Sequence, residues 1–454
     1  MTKETLEQKI QRIGNPVKML RHSPTRRFQL DYPDVRTNWQ DEQRGWHTTS
    51  TLFDQSHHMT DVYLEGPDVD RLLMATSTNT FKNWGDNKAK HLVVCTDEGQ
   101  MIGTCILFGL GKNLVSLVGP AAAANWISYQ AEIGGYDVKV TRDERTAEQP
   151  AGSHRKIFRF EIEGPRTGDI LDKANGAHIP PIKFFAMTEF KLGGRPVRAL
   201  SHTMAGVPGA ESMGMEIWGA YEDKDACWNA LVEAGEEFGL VLGGGLAYYT
   251  GAIESGYAAQ PTPGIYSAPQ LKAYRDWLPG KGYEGNLSIG GSFKSDNVED
   301  YYVTPYVFGY GHFVRFDHDF IGRAALEEAA KRPHRQKVRL RWNDDDVQRI
   351  YSSSLFGGGK GAKYLETPLS REARVLWDSI RGKNGDLIGI STLRGYTVNV
   401  GAWMSTAFVE EEHAIAGAEV SLVWGEESGG SGKLTVEPHE QTEIRATIEL
   451  APGK

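Results

Sequence analysis

At 454 residues, the chain is long enough for two or three domains with buried cores. A hydrophobic fraction of 40% and a charged fraction of 24% are typical of globular proteins that fold in water, and a net charge of −9 gives no basic footprint for nucleic acid. The N-terminal residues lack the apolar core of a signal peptide and no apolar run reaches membrane-spanning length, so we expect a cytoplasmic protein without a membrane or nucleic-acid partner.

Cysteine and histidine positions give no sign of a disulfide framework or a metal centre. The three cysteines, Cys95, Cys105 and Cys227, include no CxxC pair, which suits a reducing cytosol. His57 and His58 are adjacent, so on a helix or a strand their side chains point in different directions. No cluster has convincing metal-ligand spacing, and no metal is expected.

The first predicted elements are a helix over residues 2–13 and an alternating strand over residues 61–65. A pattern of strand, Glu-Gly-Pro and helix then occurs twice, at residues 62–73 and 160–173. Proline falls in the first turn of both helices, where its missing N–H would be unpaired anyway.

Similar elements follow each copy. After the first copy we predict strands over residues 91–95, 101–108, 114–118 and 136–140 and a helix over residues 121–133. After the second copy we predict strands over residues 182–187, 189–192, 197–202 and 215–218 and a helix over residues 223–238. This indicates an α+β fold of two pseudo-repeated units, each an antiparallel sheet with helices, at about residues 1–145 and 150–330, with the polar run 141–155 as linker. A seam between such units is a common ligand site.

Residues 243–257 follow the last of these helices and combine glycines, three tyrosines and Glu254. Glycine lets backbone approach a ligand closely, and a tyrosine hydroxyl can donate a proton. From the residues alone, the stretch is a glycine-rich turn leading into a buried tyrosine-bearing segment, or a segment that contacts a ligand.

Short β-like runs recur near the C-terminus, at residues 338–342, 387–391, 405–409 and 420–424. Glycine-rich turns separate them, which predicts a β-barrel or sandwich domain over residues 331–454, after a region that ends near residue 330. The run Asp344-Asp345-Asp346 is interpreted as a solvated turn. The stretch 425–434 lacks the spacing of a phosphate loop and is interpreted as a hairpin turn.

Several motifs together resemble the aminomethyltransferase (glycine-cleavage T-protein) superfamily, which binds tetrahydrofolate. They lie at residues 215–219, 253–256 and 316–322. Finer matches resemble the tetrahydrofolate-dependent aryl O-demethylases that act on vanillate and syringate, at residues 53–59, 87–90, 124–126, 204–206, 288–293 and 435–439. The resemblance covers nearly the whole chain. It implies transfer of the methyl group of a methoxylated aromatic acid to tetrahydrofolate, giving a phenol and 5-methyltetrahydrofolate.

The same resemblance implies roles for single residues on the substrate side. Tyr248 takes the position of the acid that protonates, or hydrogen-bonds to, the departing oxygen. His58 takes a position from which it could orient or polarise the substrate, and Tyr32 and Trp126 also fall in the substrate pocket. From the residues alone, a packing tyrosine and a histidine in a structural hydrogen bond remain open.

On the cofactor side, the resemblance places Glu216 and Trp218 in the folate site. A carboxylate can accept paired N–H donors from the pterin ring, which is the role implied for Glu216. Glu254 is implied as a second folate-site or supporting group, with a capping carboxylate at a helix end as the alternative.

Departures from the family pattern concern the substrate. Pro120, Leu246 and Ser201 stand where vanillate-type relatives carry arginine. We therefore predict a pocket less suited to hydroxylated benzoates and more to an apolar or differently substituted methoxyarene, such as the chlorinated methoxybenzoate dicamba. The runner-up is a glycine-cleavage-type aminomethyltransferase, which Thr104 disfavours because an aspartate is usual there. A non-catalytic folate-binding assembly factor is disfavoured because no cysteine follows Cys227.

Overall fold

The structure is a computed structural model, and it describes residues 4–26, 32–203, 213–258, 260–358, 361–427, 429–430 and 432–450. The motif at residues 204–206 lies outside them. The N-terminal segment forms α1 (Leu6–Ile13), α2 (Pro16–His22), α3 (Trp39–Thr48) and β1 (Ser50–Asp54). The first helix begins at Leu6 rather than at residue 2 because Thr5 caps it: the Thr5 hydroxyl accepts from the Gln8 N–H, and the Gln8 side chain accepts from the Thr5 N–H.

The first repeated unit is an antiparallel sheet with helices on one face. Its elements are β2 (Thr60–Glu65), α4 (Val69–Thr76), β3 (Ala89–Cys95), β4 (Met101–Gly111), β5 (Leu114–Gly119), α5 (Ala121–Ile133) and β6 (Lys139–Asp143). The strand order is β3-β4-β5-β2-β6. The last strand covers residues 139–143 rather than 136–140, so the run interpreted as a linker is partly a strand.

The second unit repeats this layout and confirms the predicted repeat. Its elements are β7 (Ile157–Gly164), α6 (Thr167–Asn175), β8 (Met187–Leu192), β9 (Arg195–Ser201), β10 (Met213–Ala220), α7 (Lys224–Gly235) and β11 (Leu240–Leu242). The strand order is β8-β9-β10-β7-β1-β11. The N-terminal strand β1 pairs antiparallel with β7, as β6 pairs with β2, and β11 adds a parallel edge. The predicted strand over residues 182–187 is wrong, since that segment is irregular as far as Met187.

The two sheets face each other across the predicted seam. Phe108 and Val118 of the first sheet pack on Met187, Leu200 and Trp218 of the second, with the Phe108 and Trp218 rings 5.0 Å apart. The opposite faces carry the helices, so each sheet is covered on both sides.

The stretch 243–257 is mainly a helix, α8 (Gly245–Ser255), and not a turn. Only its glycine ends are turns: Gly244 precedes the helix, and Gly256 ends it with a φ of 68°. The helix sets Tyr248 and Tyr249 against β1 and the C-terminal domain. The segment that follows forms α9 (Lys272–Trp277), β12 (Ile289–Gly290) and α10 (Arg323–Ala329).

The C-terminal domain is a closed barrel, which is one of the two forms, barrel or sandwich, that the sequence predicts. Its elements are β13 (Gln336–Trp342), α11 (Asp344–Phe356), β14 (Val375–Leu376), β15 (Asp378–Arg381), β16 (Leu387–Thr397), β17 (Ala402–Val409), β18 (Glu419–Trp424) and β19 (Thr442–Leu450). Six of these strands close the barrel in the order β13-β17-β16-β15-β18-β19, and the remaining strand, β14, pairs with β12. The Asp344-Asp345-Asp346 run is the first turn of α11 and not a solvated turn, because Asn343 caps the helix and acidic residues favour a helix N-terminus.

Short 3-10 helices complete the described chain, at Thr146–Glu148, Tyr221–Asp223, Glu236–Phe238, Pro269–Leu271, Val298–Tyr301, Gly311–Phe313 and Glu411–His413. No helix in the described ranges is long and apolar enough to cross a membrane. The thiols of Cys95, Cys105 and Cys227 are buried and free.

Candidate active site

A cavity of about 810 Å³ opens where the seam between the sheets meets α8 and the barrel. Its walls come from the inner faces of both sheets, from α8 and the loop after it, and from residues next to the barrel such as Arg374 and Leu393. This volume lies in the range of cavities that bind drug-sized ligands.

Tyr248 lies in the wall of this cavity on α8. Its ring packs between Phe53, His58 and Tyr249, with ring centres 5.4, 5.3 and 5.0 Å away. Burial, helped by the nearby Tyr249 and Glu161, raises the pKa of Tyr248 well above its usual value of 10. The hydroxyl therefore stays protonated at neutral pH and can act as a proton donor.

His58 and Tyr32 lie beside Tyr248. Burial, together with the charge of Arg155, lowers the pKa of His58 to about 3, so its imidazole is neutral. The Nδ1 atom of His58 and the Tyr32 hydroxyl are both buried without a hydrogen-bond partner in the described parts of the chain. Since buried polar atoms are normally paired and His58 lines the cavity, its Nδ1 atom marks a place where a ligand can supply the partner, whereas Tyr32 is not part of the cavity wall.

Glu216 lines the cavity from β10 and is held by two cations. Its oxygens accept from the Arg159 guanidinium and, at 2.8 Å, from Nε2 of His202. Burial alone would raise the pKa of Glu216, but these partners outweigh it and lower the pKa to about 2. Arg159 also donates to Asp61 of the first sheet, so the carboxylate is fixed across the seam.

Two functional residues that the sequence analysis did not select, Glu161 and His202, complete this cluster. Glu161 is the cross-strand neighbour of Glu216, and its Oε2 accepts from Gln55 at 3.1 Å. Burial would lower the pKa of His202, but Glu161 and Glu216 raise it well above 6.5, so the imidazole is charged. The strand alternation in β7 could have revealed Glu161, since Arg159 and Glu161 alternate with the apolar Phe160 in a central strand.

Glu161, His202 and Glu216 also have ligand atoms within 4.8 Å of one another, which is compatible with a metal ion. In the structure the three side chains belong to an ion-pair network: Glu216 accepts from both Arg159 and His202, and Nε2 of His202 lies 3.4 Å from Glu161.

The structure does not bring four predicted site residues to the cavity wall, namely Tyr32, Trp126, Trp218 and Glu254. Trp126 packs on Tyr129 and Tyr274 in the core, with the ring centres of Trp126 and Tyr274 4.9 Å apart. Trp218 lies in the seam, where the Arg159 guanidinium covers it at 5.3 Å. Both residues contribute to packing around the site rather than to its surface.

Glu254 likewise does not line the cavity, because its carboxylate points to the junction of α3, α8 and the barrel. It accepts hydrogen bonds from the side chains of Trp46, His47, Thr397 and Asn399. This arrangement is that of a buried structural carboxylate, which differs from the predicted folate-site role.

Of the positions that depart from the family pattern, Pro120 lines the cavity directly. It immediately precedes α5, at the end of β5. Leu246, Ser201 and Thr104 are not part of the cavity wall. The change from arginine to proline at position 120 is therefore the departure that alters the cavity surface itself.

Comparisons with known proteins agree with this architecture. The family model "GCVT N-terminal domain" matches residues 20–261. Syringate O-demethylase of Sphingobium sp. (strain NBRC 103272 / SYK-6) is 41% identical over 452 residues, which are 99% of this chain and 96% of that protein. Sesamin methylene transferase of Sinomonas sp. (strain No.22) is 28% identical over 407 residues, 87% of this chain and 84% of that protein.

Among solved structures, the glycine cleavage system aminomethyltransferase T from Bartonella henselae matches with a TM-score of 0.59 at 16% identity. The match covers 91% of this chain and 89% of that structure, and it confirms the predicted fold. The 41% identity over nearly the whole chain confirms the resemblance predicted from the sequence. The chain therefore belongs to the GCVT N-terminal domain family, in the branch that contains syringate O-demethylase.

Proposed function

We propose that this protein is a tetrahydrofolate-dependent O-demethylase that moves the methyl group of a methoxylated aromatic acid to tetrahydrofolate. The observation that carries the proposal is that Tyr248 and His58 line one cavity, in a chain 41% identical to a syringate O-demethylase. The products are a phenol and 5-methyltetrahydrofolate.

The residues of the cavity fit tetrahydrofolate. Glu216, Gln55 and His202 line one wall with a carboxylate, an amide and a charged imidazole, the groups that recognise the N–H and carbonyl edge of a pterin ring. Gln55 keeps an unpaired Oε1 atom among the described residues, which supports a ligand donor at this wall. Tetrahydrofolate supplies the nucleophilic nitrogen when bound.

In this mechanism Tyr248 donates its proton to the ether oxygen as the methyl–oxygen bond breaks, because an unprotonated phenoxide is a poor leaving group. The N–H proton that methylation of the amine releases would return Tyr248 to its protonated form, so that no net proton is consumed. Neutral His58 accepts or donates a hydrogen bond beside the same ring without adding charge. Holding both partners in line can lower the barrier by roughly 7–11 kcal/mol, and a placed acid commonly adds on the order of 10²–10⁴-fold in rate.

The runner-up is an aminomethyltransferase that works on a lipoyl carrier protein. Thr104 stands where that reaction uses an acidic group, and it is buried in β4 without charge. A response to a lipoyl carrier with no transfer from methoxyarenes would favour the runner-up.

The proposal is tested with the purified protein, tetrahydrofolate and a panel of methoxybenzoates that includes vanillate, syringate and chlorinated members. We expect phenol and 5-methyltetrahydrofolate to form in equal amounts from at least one of them. Phenol formation that does not require tetrahydrofolate, or no product from any member, would contradict the proposal.

A further inference from the structure

The cavity wall is cationic although the chain as a whole carries a net charge of −9. Among lysine, arginine, aspartate and glutamate, six wall residues are cationic, namely Arg26, Lys90, Arg145, Arg315, Lys337 and Arg374, and two are acidic, namely Glu148 and Glu216. Both acids are already ion-paired, Glu148 with Arg145 at 2.8 Å and Glu216 with Arg159. The excess positive charge therefore favours an anionic ligand.

Arg374 and Lys90 are the two cations of the wall without an acceptor among the residues that the structure describes, and of the two only Arg374 carries a planar guanidinium. Its guanidinium makes no hydrogen bond or ion pair with any residue that the structure describes, and it stacks over the Tyr283 ring with 5.0 Å to the ring centre. By contrast, Arg145 pairs with Glu148. The buried Glu284 interacts with Arg374 only electrostatically. Both carboxylate oxygens of Glu284 accept from the Asn125 side-chain amide, at 2.9 and 3.2 Å.

One hydroxyl links the backbone of Arg374 to that of Thr25, the residue before Arg26. The Ser288 hydroxyl donates to the Thr25 carbonyl at 2.5 Å and accepts from the Arg374 backbone N–H at 2.8 Å. Arg26 uses one guanidinium nitrogen on Glu366, at 3.1 Å, and its Nε is buried without a partner in the described ranges.

Gln260 adds neutral donors to the same part of the wall. Its Oε1 accepts from the Tyr283 hydroxyl at 2.5 Å, which leaves the two amide N–H groups without a partner among the described residues. Arg374, Arg26 and Gln260 thus all line the cavity, and each keeps donors without an acceptor among the described residues. Stacked, planar guanidinium groups bind carboxylates bidentately.

We propose that Arg374, Arg26 and Gln260 form a carboxylate-binding subsite of the cavity. The inference rests on the proposed function, which offers two sources of that carboxylate: the acid group of the methoxybenzoate and the glutamate of tetrahydrofolate. If the source is the methoxybenzoate, the subsite replaces the cation that Pro120 removes from the wall.

The test uses Arg374→Gln and Arg26→Gln, each in the full-length protein, with Arg381→Gln as control. Arg381 lies exposed on the barrel outside the cavity, and its guanidinium donates to the Gly385 carbonyl. Michaelis constants are measured for a methoxybenzoate and its carboxamide, and for tetrahydrofolate and the amide of tetrahydropteroate, which has neither the glutamate nor a carboxylate. Circular dichroism and thermal unfolding establish that each variant is folded.

If the subsite holds the substrate acid, Arg374→Gln raises KM for the methoxybenzoate about 10–100-fold and leaves KM for the carboxamide unchanged. If it holds the folate tail, the rise occurs for tetrahydrofolate and not for the amide of tetrahydropteroate. A variant with unchanged constants, or with equal losses for charged and uncharged ligands, would overturn the inference.

If the proposed function is wrong, the wild-type protein transfers no methyl group, which is a different result from the outcomes for the variants. The subsite would then be tested by calorimetric titration of the methoxybenzoate and of tetrahydrofolate alone. Weaker binding of one of them to Arg374→Gln would support the subsite, and equal binding to wild type and variant would overturn it.

Discussion

Replacing Tyr248 by phenylalanine should separate catalysis from folding. The substitution keeps the ring and its contacts with Phe53, His58 and Tyr249 and removes only the hydroxyl. That hydroxyl makes no hydrogen bond to any described residue, so no protein partner is left unpaired. The loss in unfolding free energy should stay within about 1 kcal/mol.

The catalytic loss should be much larger. If Tyr248 is the acid, its removal costs on the order of 10²–10⁴-fold in rate, which is about 2.7–5.4 kcal/mol of barrier. The loss should be smallest for methoxyarenes that release the most acidic phenols, since those leaving groups need least protonation. Binding of tetrahydrofolate should be unchanged.

The assay is single-turnover formation of 5-methyltetrahydrofolate from a series of ring-substituted methoxybenzoates, with Tyr249→Phe as the matched control. Because the pKa of Tyr248 is raised well above 10, the wild-type rate should show no loss of this acid between pH 6 and 9. Near-normal turnover by Tyr248→Phe, or a loss independent of the leaving group, would refute the assignment of Tyr248 as the acid.

Three further predictions concern neighbouring residues. Glu254→Gln should lower the unfolding free energy by about 1–3 kcal/mol, because its carboxylate holds the junction with the barrel, while the Kd for tetrahydrofolate measured by titration stays unchanged. The pKa of His58 is about 3 in the folded protein against 6.5 in the unfolded chain, so the unfolding free energy of the wild type falls as the pH drops from 6.5 towards 3. This contribution amounts to at most about 1.4 kcal/mol per pH unit and is absent from His58→Phe. Urea unfolding at pH 7 and pH 4 should therefore show a smaller loss of stability for the variant than for the wild type. Pro120→Arg adds a cation to the cavity wall and should lower KM for vanillate several-fold in steady-state kinetics, whereas an unchanged KM would mean that position 120 does not face the substrate.

Local signals made the repeated units predictable. Glu65-Gly66-Pro67 and Glu163-Gly164-Pro165 recur because both glycines have φ values, 149° and 141°, that other residues rarely adopt. A Cβ atom at Gly66 or Gly164 would also meet a backbone oxygen, at 2.1 and 2.4 Å. The place of β1 in the second sheet could not be predicted, because its pairing with β7 spans more than a hundred residues.

The residues of the candidate site likewise fall into those that could be predicted from the sequence and those that could not. Tyr248, His58 and Glu216 came from resemblance, and the structure gathers them at one cavity, whereas Tyr32, also taken from resemblance, is not part of the cavity wall. Glu161 and His202 were not selected, since their contact with Glu216 depends on strand register and on the end of β9, which a single sequence does not give. Trp126, Trp218 and Glu254 sit in matching motifs, yet motif membership does not tell whether a side chain faces the cavity or the core.

The most direct test of the account follows the methyl carbon itself. A methoxybenzoate labelled with ¹³C in the methoxy group is incubated with tetrahydrofolate and the protein, and the product is observed by ¹³C NMR. The account predicts that the label appears on the N5 methyl group of 5-methyltetrahydrofolate in the same amount as the phenol. Label in formaldehyde or methanol, or label left in the ether, would contradict it.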